Sequence, residues 1–151
     1  MRTLRTSSVM AKSSEALLLL DTHIWLWEVF ATGQLSSSIR ARISDAAQLR
    51  RLRLSAISIW EISLLASRGK IELGPPVMPW ITEAEGRSGI VFEPLSTEIA
   101  VEAGALPGGF RSDPADLIIV ATARVTGAML LTRDRRILDY GAAGNVAVLA
   151  A

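Results

Sequence analysis

The chain contains no cysteine among its 151 residues. This excludes disulfide bonds, a thiol nucleophile and any cysteine-ligated zinc or iron–sulfur centre. Histidine occurs once, at position 23, so there is no histidine cluster either. No apolar run approaches the roughly 20 residues of a membrane helix. The run at 16–20 is stopped by Asp21, and the run at 117–123 by Arg124. The apolar stretch after the N-terminal charges is also shorter than the hydrophobic region of a secretory signal, so a cytoplasmic protein is expected. Lysine is nearly absent, with only Lys12 and Lys70 against fourteen arginines. A G+C-rich codon bias accounts for such a ratio; phosphate recognition by planar, bidentate guanidinium groups is the functional alternative. The net charge of +1 neither supports nor excludes a nucleic-acid partner, because a basic groove can sit on a neutral protein.

Half of the residues are hydrophobic and 21% are charged, a composition for folding rather than disorder. The length suits one domain, able to bury roughly 70% of its unfolded surface. The mean hydropathy of +0.34 is high for a chain without a membrane segment, and a dimer face or a protein partner would hide the excess. Residues 1–15 are polar and basic with little periodicity, and read as a flexible N-terminal extension. Residues 16–151 read as a single domain.

From position 16 apolar runs alternate with amphipathic stretches. Strands are predicted at 16–20, 52–57, 90–95, 128–132 and 146–149. Helices are predicted at 23–30, 36–51, from a Ser58 cap to Gly69, at 79–88, at 97–105 after a Ser96 cap, at 114–125 and at 133–138. Pro114 suits a helix first turn with Asp113 as its N-cap, and Gly127 ends that helix. Apolar strands without alternation, separated by helices, predict a three-layer α/β/α domain with a central, mostly parallel sheet. Ligands of such sheets bind beyond the carboxyl ends of the strands, where the strand order switches.

That rule sorts the six aspartates. Asp45 and Asp139 fall on predicted helix surfaces or ends. Asp21 directly follows the first strand, and Asp134 lies two residues past the strand at 128–132. Asp116 falls in the first turn of the Pro114 helix, and Glu61 in the first turn of the helix after the second strand. Taken singly, each is explained as a helix cap or a complement to the helix dipole. Glu61 resists that reading, because Ile59, Trp60 and Ile62 around it make an apolar segment where an unpaired carboxylate is costly. If the four converge, like charges must raise a pKa or a cation must neutralise them. Oxygen donors without a His or Cys cluster favour Mg²⁺, or Mn²⁺ in its place, over zinc. Such an ion supports phosphodiester hydrolysis by activating water and stabilising charge on the phosphate.

Four segments resemble, in order and spacing, the motifs of PIN-domain ribonucleases, and in particular the VapC-type toxins of bacterial toxin–antitoxin pairs. They are LLLLDTHI from Leu17, SAISIWEI from Ser55, DPADLIIVATA from Asp113, and LLTRD from Leu130. The resemblance runs from Leu17 to the C-terminus. It implies a metal-dependent endoribonuclease that forms homodimers and is inhibited by a cognate VapB-type antitoxin. Asp21 and Asp116 would be the main metal ligands, with Glu61 and Asp134 completing the acidic pocket, mostly through water. Thr132 would orient a water or phosphate. The chain departs from the pattern in its longer polar start and in having Leu117 where many relatives carry a basic or aromatic residue.

His23 reads as structural or as a neighbour of the metal ligands. Arg133, Arg135 and Arg136 flank Asp134, and Arg111 precedes Asp113; most such clusters are solvated surface, and contact with RNA phosphate is the second reading for all four. Trp25, Trp27, Trp60 and Trp80 could stack on bases, but their apolar surroundings point to core or interface packing. Two other readings compete: a non-catalytic PIN-like RNA-binding scaffold, and a phosphoacceptor domain or phosphatase. The second is weakened by His23 standing where an aspartyl phosphatase wants an Asp, and by the lack of a lysine near the acidic motifs.

Overall fold

The computed structural model describes residues 16–74 and 76–151, so the expected extension over 1–15 lies outside the described residues. Five strands, β1 (Leu18–Leu20), β2 (Leu52–Ser55), β3 (Val91–Glu93), β4 (Met129–Thr132) and β5 (Val148–Ala150), form one sheet in the order β3-β2-β1-β4-β5. Every pairing is parallel. Seven α-helices connect and cover the strands: α1 (Thr22–Val29), α2 (Ser37–Gln48), α3 (Ala56–Ser67), α4 (Val77–Ser88), α5 (Thr97–Gly104), α6 (Pro114–Thr126) and α7 (Arg135–Ala142). A short 3₁₀ turn spans Pro107–Gly109. No helix among the described residues is long and apolar enough to cross a membrane.

The three leucines of β1 show why the strands do not alternate in polarity. Leu18 and Leu20 point into one core and Leu19 into the other, because successive strand side chains face opposite sides. The first core gathers Ile24 and Trp25 of α1, Ile39 and Ile43 of α2, Ile62 of α3 and Ile81 of α4. The second gathers Ile119, Val120 and Ala123 of α6 with Ile137 and Tyr140 of α7. Both faces of the sheet are therefore covered, giving the expected α/β/α layering.

The register fixes where the strands end. Leu18 pairs with Leu52 and Met129, and Leu20 with Leu54 and Leu131. The ends of β1, β2 and β4 thus lie level on one side of the sheet. From β1 the chain moves outward through β2 and β3, then returns to the other flank of β1 as β4. The order switches between β1 and β4, which is where a crevice opens.

Most element ends shift by one or two residues from the sequence expectation, and two of the shifts bear on the site. Strand β2 stops at Ser55, whose side chain caps α3 by accepting from the Ile57 N–H. Ser58 is consequently no cap but a fully buried residue inside the helix. Helix α7 begins after Asp134, its N-cap, and runs on to Ala142 rather than stopping near Leu138.

Candidate active site

The site is built where α1, α3 and α7 leave the level ends of β1, β2 and β4, together with the N-terminus of α6. Asp21 ends β1 and caps α1: its Oδ1 accepts from the Thr22 N–H at 2.8 Å. Its Oδ2 accepts from the Thr132 hydroxyl at the end of β4, at 2.7 Å. Thr132 Oγ1 also accepts the Asp134 N–H at 3.0 Å, and Asp134 Oδ1 accepts from the Arg136 N–H at 2.8 Å. One hydroxyl therefore couples the two aspartates on either side of the switch point. Asp113 caps α6 through the Asp116 N–H at 2.9 Å. Asp116 Oδ2 accepts from the Ser112 hydroxyl at 2.6 Å.

Glu61 sits in the second turn of α3, not the first as the sequence suggested, because Ser55 rather than Ser58 starts that helix. Thr22 Oγ1 lies 2.6 Å from Glu61 Oε1 and 2.7 Å from Ser58 Oγ. The hydroxyl of α1 thereby ties the glutamate of α3 to the end of β1.

Asp21, Glu61, Asp116 and Asp134 line one cavity of about 400 Å³, together with Asp113, His23, Ile24, Trp27, Arg133 and Arg136. Asp21 is buried at 7% exposure, an unusual position for an aspartate. Burial pushes its carboxyl up, against the hydrogen bonds from Thr132 and Thr22. Burial likewise raises Glu61 and Asp116, opposed by Thr22 and Ser112 respectively; the neighbouring aspartates add to both shifts. This is a cleft of carboxylates that disfavour one another's charge and call for a cation. Arg136 supplies a weak one, with guanidinium nitrogens 3.8 Å from Asp116 Oδ2 and 3.9 Å from Asp134 Oδ1.

The donors are carboxylate and hydroxyl oxygens, suited to a hard divalent ion. Among the described residues no three His, Asp or Glu groups stand close enough together to hold a metal ion between them. The set fits an ion that takes one or two carboxylates and keeps much of its water.

The remaining candidates divide. Arg133 lies on the cavity wall, but its guanidinium stacks 4.6 Å over the Trp27 ring and donates to the carbonyls of Gln34 and Ala151. It is anchored as well as placed. Arg111 and Arg135 are exposed and do not line this cavity. Trp25 is fully buried, as expected of a core residue, whereas Trp60 is 51% exposed and does not belong to the core. Sequence reasoning missed three side chains that hold the carboxylates in place: Thr22, Ser58 and Ser112. Each is a hydroxyl near a motif acid, a weak signal at best. Asp113 was read only as a cap, and it is also a wall of the cavity.

The PIN domain family model matches residues 18–143, from β1 through the end of α7. The chain is 35% identical to Ribonuclease VapC22 of Mycobacterium tuberculosis over 123 residues, 82% of this chain and 91% of that protein. Its fold is similar to VapBC2 from Rickettsia felis, solved bound to a DNA fragment from their promoter, with a TM-score of 0.67 at 16% identity over 89% of this chain and 98% of that one. FitAcB from Neisseria gonorrhoeae is similar at a TM-score of 0.60 and 22% identity, over 88% and 96% of the two chains. The family match takes in all four acidic motifs and both flanks of the switch point, and on that ground the chain belongs to the PIN-domain family.

Proposed function

We propose that the chain is a divalent-metal-dependent endoribonuclease toxin of the VapC kind, with residues 16–151 as one nuclease domain. The observation that carries this reading is the meeting of Asp21, Glu61, Asp116 and Asp134 on one cavity at the β1–β4 switch point. The 35% identity to a ribonuclease supports it. Asp21 and Asp116 would hold Mg²⁺, or Mn²⁺ in its place, with Glu61 and Asp134 acting mostly through water. When bound, the ion supplies Lewis-acid stabilisation of the phosphate and lowers the pKa of water.

The chain's own groups do the rest. Thr132 holds Asp21 in one orientation. Glu61, its carboxyl raised by burial and fastened by Thr22, is held at the cavity wall where it can accept a hydrogen bond from a water. Arg136 stands where it can leave its carboxylates for a phosphate oxygen. The structural neighbours are toxin–antitoxin complexes, which supports a VapB-type antitoxin as partner. A homodimer and a cytoplasmic site of action belong to the same proposal, as the resemblance to VapC-type toxins implies.

The test is cleavage of bulk tRNA, rRNA and mRNA by the purified, antitoxin-free protein in Mg²⁺, in Mn²⁺ and in EDTA, beside a folded Asp116→Asn control. Discrete metal-dependent products absent from the control are expected. RNA binding without turnover would instead favour the non-catalytic scaffold.

A further inference from the structure

Beside the acidic cavity lies a second one of about 250 Å³, and the two share His23, Glu61 and Asp113 as a common wall. Its character is different. Leu64, Pro114 and the ring of Trp60 line it, with Arg68 at its edge. Trp60 immediately precedes Glu61 on α3, so the ring and the carboxylate lie roughly 100° apart around the helix. Trp25, Trp27 and Trp80 each pack against another aromatic ring. Trp60 has no such ring contact among the described residues and is left 51% exposed. Arg68 is exposed at the C-cap of α3, and no carboxylate among the described residues forms an ion pair with it.

A large ring left half in water forgoes a sizeable hydrophobic gain and marks a contact surface. What abuts it narrows the choice. A charged cavity suited to a phosphate and its cation gives way, across one wall, to an apolar slot with an aromatic face and an arginine. That succession follows the chemistry of a nucleotide chain, a phosphate followed by a base. From this juxtaposition, and resting on the nuclease reading above, we infer that Trp60 is the stacking platform for an unpaired RNA base next to the scissile phosphate, with Arg68 holding the phosphate beyond it. Stacking on a π-face tolerates every base, so this subsite selects single-stranded or splayed nucleotides rather than a sequence.

Trp60→Ala and Trp60→Phe, both at an exposed position and checked for unchanged Tm, separate stacking from bulk. On a single-stranded RNA substrate, Trp60→Ala is expected to raise KM about five- to hundredfold with kcat nearly unchanged, and Trp60→Phe to recover most of the loss. Binding of short RNA oligomers to the cleavage-defective Asp116→Asn protein gives a readout independent of turnover. An abasic residue at the stacked position should weaken binding when Trp60 is present and make no difference once it is alanine. Equal KM and equal oligomer binding for wild type and Trp60→Ala would overturn the assignment. So would a Trp60→Ala variant that keeps RNA affinity but loses self-association or antitoxin binding, which would give the ring to a protein interface. Absence of cleavage by the wild type would count against the nuclease reading alone, and the oligomer titration would still decide the subsite.

Discussion

Thr132 donates its hydroxyl to Asp21 Oδ2 across 2.7 Å, joining positions 111 residues apart at the ends of adjacent parallel strands. The bond is buried, and the same oxygen accepts the Asp134 N–H. Thr132→Val keeps the shape and β propensity but removes both functions. We expect metal affinity or cleavage to fall about 10- to 100-fold, with a stability loss of about 1–3 kcal/mol from the unpaired, partly buried N–H and the buried carboxylate. Thr132→Ser should restore most of both. Metal titration by calorimetry and thermal unfolding would check this, and a valine variant with undiminished metal affinity would show the hydroxyl to be dispensable.

For Asp21, the proposed role as a metal ligand and the stability of the metal-free fold pull in opposite directions. Burial raises its carboxyl above the ordinary 3.8, so the folded chain holds this proton more tightly than the unfolded chain does. The stability it contributes is full below about pH 3.8 and is lost as pH rises through the folded-state value. Asparagine carries no such charge and remains a good N-cap. Without divalent ions, Asp21→Asn should therefore gain Tm relative to wild type as pH rises across that window. It should also lose cleavage by about a hundredfold or more. Added Mg²⁺ should raise the Tm of the wild type and leave the variant nearly unmoved. Melting curves at stepped pH would show a constant difference if burial of the charge were unimportant.

Two glycines make opposite predictions for the same substitution. A Cβ on Gly141 in α7 would lie 2.8 Å from Val148 Cγ1 and 3.1 Å from the Val146 carbonyl. Gly141→Ala should thus destabilise by about 1–3 kcal/mol despite the better helix propensity of alanine. Gly86 in α4 has nothing within 4 Å of a built Cβ and no positive φ. Gly86→Ala should stabilise by about 0.5–1 kcal/mol. Chemical denaturation of the pair would detect either sign.

The arginines near Asp134 should separate in the same way. Arg133 is stacked on Trp27 and bonded to two backbone carbonyls, so Arg133→Ala should cost about 1–2 kcal/mol of stability. Arg135 is exposed, and Arg135→Ala should leave stability within about 0.5 kcal/mol. If Arg135 touches RNA phosphate, its removal should weaken binding uniformly across sequences and reduce the salt slope by about one. RNA titrations over a range of salt, beside thermal melts, would distinguish them.

Much of the site was visible along the chain because its parts stand at punctuation points. Asp21 follows an unbroken apolar run, Asp113 and Pro114 open a helix, and Asp134 closes the fourth strand segment. Local chemistry is enough to mark such places. Boundaries inside apolar stretches were less legible. In Ser55–Ala56–Ile57–Ser58 either serine could cap, and packing chose Ser55 because Ser58 is needed beside Thr22 in the interior. That choice moved Glu61 from the first helical turn to the second. Trp60 shows the same limit: apolar neighbours in sequence left core and interface packing both open, and helix phase turned the ring out of this chain's core while Ile62 went into it.

The apolar runs and their helical spacers were sufficient to determine a parallel α/β architecture, since a strand without polar alternation can be satisfied only between two layers of helices. The identity and order of the four acids were likewise legible. Their meeting was decided by the tertiary structure. The strand order β3-β2-β1-β4-β5 puts β4 against β1 rather than against β3, its predecessor in the chain. Only that choice brings Thr132 and Asp134 to Asp21, and it depends on long-range packing of Leu19 against α6 and Leu20 against α1 and α3, which no local pattern encodes.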